Sequence, residues 1–177
     1  GSTGAGGTQT IVTLPTVTSP TATSIAQTTA TLGANVTSLG GAASLTARGT
    51  VWGTSASPTG NPESEGGTGT GVFTEGRTGF SQGTKYYYRG YATSAAGTAY
   101  SSDGSFYTEP GQASSVVIDN VTATGMRISW TAGANADGAI VVMRASNSTV
   151  DDPVDGTVYT GNAAYGTTAL GSSYIVH

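Results

Sequence analysis

Gly83-Thr84-Lys85-Tyr86-Tyr87-Tyr88-Arg89-Gly90-Tyr91-Ala92-Thr93-Ser94-Ala95-Ala96-Gly97 is the stretch on which the fold turns. A Gly-Thr pair opens it and an Ala-Ala-Gly run closes it. Between them lie four tyrosines, two β-compatible small residues and no Leu, Glu or Met to favour a helix. Aromatic and β-branched side chains fit a pleated, half-buried surface. The sequence predicts a strand over Lys85–Ser94.

Further strands of the same kind flank it. They are expected near Thr16–Ser24, Thr28–Thr37, Ser44–Gly53 and Gly71–Phe80 on one side and Ala99–Thr108 on the other, with a short edge strand near Glu63–Glu65. Short β-rich runs broken by turn clusters every 8–15 residues or so indicate a sandwich or barrel and not βαβ units. In Thr28–Thr37, Ala30, Leu32, Ala34 and Val36 share one face and Thr29, Thr31, Gly33 and Asn35 the other, so one face is expected to be buried and one wet. Ahead of these strands, Gly1–Gly7 has linker composition. Thr10-Ile11-Val12-Thr13-Leu14 has strand composition and stops at Pro15, which cannot donate to a central ladder. Residues 1–14 are thus expected to form an arm, carrying a spare strand with no evident place in the first module.

Composition agrees with an all-β chain. The 177 residues include 32 Thr, 20 Ser and 28 Gly, nearly half of the total, and only 9% are charged. Hydrophobic residues reach 36%, more than a chain too polar to fold would carry. Cysteine is absent, which excludes disulfides, thiolate metal sites and cysteine nucleophiles. The one histidine is His177, so a histidine-based triad or metal site is not expected. Six basic against ten acidic residues give a net charge of −4, which suits neither a row of phosphates nor a nucleic-acid partner. No run of about 18 apolar residues is present, and membrane insertion is not expected. With no initiating Met and no signal pattern, the chain is expected to be a piece of a longer, secreted product.

A composition break at Glu109-Pro110-Gly111 separates a second β-rich unit. Strands are expected at Val116–Asn120, Met126–Thr131, Ala139–Ala145, Thr157–Thr160 and Tyr174–His177. Met126, Ile128 and Trp130 alternate with Arg127, Ser129 and Thr131, again giving one apolar and one polar face.

Two segments resemble fibronectin type III and related immunoglobulin-like modules of secreted or cell-surface bacterial proteins. The Gly83–Gly97 stretch resembles the sixth strand of such modules, and the resemblance makes Tyr86 a tyrosine-corner residue whose hydroxyl bonds back to upstream backbone. Tyr88 and Ala92 would then face the core with it, while Tyr87, Arg89 and Tyr91 would face outward. Val121–Thr131 is similar to the second strand, with Trp130 as the core tryptophan, and Gly138–Arg144 looks like the third. The resemblance implies two tandem antiparallel β-sandwich modules, residues 15–109 and 112–177. The second would lack its last strands, be incomplete, and leave Trp130, Ile128 and Ile140 uncovered unless a longer parent chain or a neighbouring chain supplies the rest.

Several constellations bear on chemistry. Asp151, Asp152 and Asp155 place three carboxylates together, yet a calcium loop needs about six oxygens and commonly a bidentate Glu; turn formation accounts for them. Glu63 and Glu65 are expected on a solvated edge. No carboxylate pair suggests a glycosidase cleft, and Lys85 is the only lysine from which an isopeptide cross-link could be built. Asn35, Asn120 and Asn147 begin acceptor triplets for N-glycosylation, which a Thr-rich chain produces by chance. Outward Tyr87 and Tyr91 with Trp52 and Tyr100 could form a sugar-stacking platform, against a packing role for the same rings.

The expectation is therefore a non-catalytic structural or adhesive module without cofactor or metal, extracellular or on a cell surface. Its partners would be neighbouring modules or identical subunits joined by strand exchange. The alternatives are an accessory carbohydrate-binding module of a secreted polysaccharide-degrading enzyme, with polysaccharide as partner, and a decorating domain of a phage particle.

Overall fold

The computed structural model describes residues 11–154 and 157–176. Among these residues the fold is all-β, without a helix, in antiparallel sheets, so no helix is long and apolar enough to cross a membrane. The chain divides into two compact units, Gly1–Gly111 and Gln112–His177.

Eight strands build the first unit: β1 (Thr16–Thr23), β2 (Thr29–Ser38), β3 (Ala47–Gly53), β4 (Glu63–Ser64), β5 (Gly71–Thr78), β6 (Lys85–Ser94), β7 (Gly97–Tyr100) and β8 (Gly104–Tyr107). One sheet has the order β1-β2-β5. The other runs β4-β3-β6-β7, with β8 also pairing β6. Pro20 is accommodated in β1 because the ladder to β2 breaks between Thr18 and Thr21, where no donor is needed.

Alternation along the strands sorts side chains to the two faces. Ala30, Leu32, Ala34 and Val36 of β2 are all at most 2% exposed. Side chains of both sheets interleave in two core clusters. One holds Val17, Ala34, Val36, Leu45, Phe73 and Ala92, and the other Ala30, Leu32, Phe80, Tyr86, Tyr88 and Phe106. Because β2 contributes its last residues to the first cluster and its first residues to the second, the clusters mark opposite poles of the unit. Gly90 permits the close approach of the sheets: a Cβ there would run into Ala34 Cβ.

Two expectations for this unit are corrected. Ile11–Leu14 is not a strand and is not spare; Thr13 N donates to Gly40 O (2.7 Å), and Leu14 lies beside Gly97. Thr10 lies outside the described residues. The single strand expected over Ala99–Thr108 is two, β7 and β8. Between them Ser101 replaces ladder pairing with its hydroxyl, which accepts from Gly90 N (3.0 Å), while its own N donates to Gly90 O (2.9 Å).

The second unit is built differently. Among the described residues β9 (Ser114–Asp119) pairs only with β10 (Arg127–Thr131), and β13 (Ser173–Ile175) lies between β11 (Val142–Met143) and β12 (Thr168–Leu170). The strand expected over Ala139–Ala145 shrinks to two residues and Thr157–Thr160 forms none; His177 lies outside the described residues. β12 was not expected. Its signals are β-branched Thr168 and the left-handed glycines Gly166 and Gly171 that bound it. Every buried apolar side chain among the described residues except Ile175 belongs to the first unit.

Candidate functional site

Tyr86 is buried at the pole of the second cluster, where its ring meets Phe80 at 4.8 Å, Trp52 at 5.5 Å and Phe106 at 5.9 Å between centroids. Its hydroxyl accepts from Ser81 N (2.9 Å), five residues upstream. The partner is thus a backbone donor, where removal of the hydroxyl would strand an N–H. Tyr88 and Ala92 are buried on the same face, and burial pushes the Tyr88 phenol up.

The aromatic platform anticipated from sequence does not assemble. Trp52 faces inward opposite Tyr88 and packs against Phe80 (4.8 Å), so it belongs to the core and not to a ligand face. Tyr91 points away from the core but is only 8% exposed. It stands opposite Gly49, over which the Glu63–Ser64 backbone packs, and its hydroxyl bonds Ser64. Burial raises the Tyr91 pKa, while Ser64 and the Arg77 charge pull it down. Tyr100 is half-buried under the Arg89 guanidinium, 4.6 Å above its ring.

Tyr87 remains on the outer face, with the Lys85 ammonium 5.0 Å from its ring centroid. Tyr107, which sequence reasoning missed, lies 5.6 Å from the same ammonium and is 65% exposed. The alternation Gly104-Ser105-Phe106-Tyr107 was the signal for it. With Phe106 in the core, Ser105 and Tyr107 must leave the sheet on the other side.

Glu63 and Glu65 are not a free solvated edge. Glu63 binds the fully buried Arg77, whose Nε donates to Thr50 Oγ1 (2.9 Å) and which also meets Glu75 at 3.3 Å. Glu65 forms a two-point pair with Arg48 (2.7 and 3.1 Å), and this hydrogen bonding holds its carboxyl below the usual range. Arg48 also donates to Gly69 O and Thr70 O and lies over the Phe73 ring at 5.2 Å. These pairs close the side of the unit where the edge strands β4 and β5 face each other.

In the second unit Asp151 is spent on the fold. Its Oδ2 accepts from Ser172 N and from Ser173 Oγ (2.8 Å each), and the Ser173 bond is the main reason its pKa is lowered. Asp152 is exposed, and Asp155 lies outside the described residues. Among the described residues no three His, Cys, Asp or Glu side chains gather as a metal site. Trp130 is half-buried with Ile128 and Ile140 in an apolar groove of about 210 Å³ between β9–β10 and residues 139–142. A larger groove of about 620 Å³ runs on past Met126, Met143 and Tyr165. On the β9–β10 hairpin Val116, Val117 and Ile118 are 62%, 50% and 57% exposed.

Compared with models of known protein families and with curated proteins, the sequence matches none.

Proposed function

We propose that the chain is a non-catalytic structural module of a secreted or cell-surface assembly, made of two fibronectin type III-like units, the second of which joins a neighbouring chain or module. Support for the type III reading comes from the three-stranded sheet facing a larger one and from the Tyr86 hydroxyl returned to upstream backbone. The observation that carries the structural role is β9. Among the described residues it pairs on one side only and carries three consecutive apolar side chains that are each at least 50% exposed, so one ladder edge is open and apolar. Such an edge is a template for another strand, bonded through the main chain.

Light scattering over a concentration series tests this. The full chain is expected to self-associate, and Val117→Lys with Ile118→Lys is expected to leave a folded monomer. A folded wild-type chain that stays monomeric and monodisperse at high concentration overturns self-association through this edge.

A further inference from the structure

The outer face of the larger sheet ends in a group of side chains that neither the core nor the ion pairs use. Lys85 and Tyr87 on β6 stand opposite Tyr107 and Ser105 on β8. Since Tyr86, Tyr88 and Phe106 point inward, these four leave the sheet together. Lys85 Nζ lies between the Tyr87 and Tyr107 rings, 5.0 and 5.6 Å from their centroids.

Charge pairing sets Lys85 apart. Arg48, Arg77, Arg89, Arg127 and Arg144 each lie within 4.0 Å of a carboxylate. Among the basic side chains of the described residues Lys85 alone forms no ion pair, and its ammonium makes no hydrogen bond to a described residue. Acid is not scarce, with ten carboxylates to six cations in the chain. The two rings hold the ammonium by cation–π attraction without neutralising it, which leaves its N–H donors without an acceptor among the described residues.

A complementary ligand needs one anionic group for the ammonium, an apolar ring face for a tyrosine, and hydroxyls for Ser105 Oγ and the phenols. Densely phosphorylated or sulfated polymers fit poorly, because a single unpaired basic side chain among the described residues of a chain of net charge −4 cannot offset their charge. A pyranose bearing a single carboxylate fits each requirement. We propose that Lys85, Tyr87, Ser105 and Tyr107 bind one uronic acid unit of an acidic polysaccharide. The carboxylate meets Lys85 Nζ, the C–H face of the ring lies on Tyr107, and Ser105 hydrogen-bonds a ring hydroxyl. This site lies within the first unit and does not depend on edge pairing by the second.

The test is calorimetric titration of the full chain with a short oligogalacturonate, its methyl ester and dextran sulfate. Oligogalacturonate is expected to bind, and added salt to weaken it. The ester keeps the ring faces but loses the charge, and should bind at least about tenfold more weakly. Lys85→Gln and Tyr107→Ala should each weaken binding by about tenfold or more with unchanged thermal unfolding, while Arg127→Gln should have no effect. Amide shifts on titration should centre on residues 85–87 and 105–107. No binding of oligogalacturonate, equal affinity for its ester, or an unaffected Lys85→Gln variant overturns the proposal. Equal binding of dextran sulfate also overturns it, by showing charge attraction alone.

Discussion

At the scale of single residues, the Tyr86 hydroxyl is the acceptor on which the Ser81 N–H depends. Tyr86 could be placed because the resemblance of Gly83–Gly97 to a sixth strand chose which face of the alternation points inward. Tyr91 has the outward direction the period gives it, yet β4 packs closely over Gly49 opposite and Ser64 bonds the Tyr91 hydroxyl, which keeps the ring covered. That cover comes from residues distant in sequence and appears only once register is known. Trp52 follows Val51, so two apolar neighbours point to opposite faces and composition alone cannot choose between them; pairing of Trp52 with Tyr88 decides. Tyr86→Phe should lower the urea midpoint with an unchanged slope, because Ser81 N–H loses its acceptor at a cost of about 1–3 kcal/mol. An unaltered midpoint would show that this hydrogen bond contributes nothing.

At the scale of elements, the strands were legible wherever turn residues bound a period-2 run, as in β2 and β6. They were illegible where side chains take over from the ladder, as Ser101 does between β7 and β8. β6 and β2 approach so closely at Gly90 that Gly90→Ala should overpack the core against Ala34 and cost about 1–3 kcal/mol, measured by the same denaturant titration. The two-residue β4 is held by charge as well as by its ladder. Arg48 lowers the Glu65 pKa, so this pair stabilises the fold above the ordinary carboxyl value of 4.5 and the contribution is lost as pH falls through the lower folded value. Wild type should therefore lose more stability than Glu65→Gln between neutral pH and pH below 4.5, as read from urea midpoints at each pH. Equal losses would exclude Glu65 as the source.

At the scale of the whole molecule, the division near Gly111 was visible as a composition break, whereas the thin core of the second unit was not. Alternation in Met126–Thr131 indicated an apolar face without showing how little covers it. Since nearly all buried apolar side chains belong to the first unit, native-state hydrogen exchange should show β2 and β6 amides as the slowest and β9–β10 amides as the fastest within strands. Uniform protection across both units would contradict this. The two core clusters carry one more consequence. The chain enters the first unit beside Val17, at one pole, and leaves it after Phe106, at the other. Tension on the two ends therefore draws β1 lengthwise along β2 and β8 lengthwise along β6, in opposite directions. All the hydrogen bonds of each pair then share the load at once instead of parting one by one, and the unit resists extension as a bead pulled through its poles.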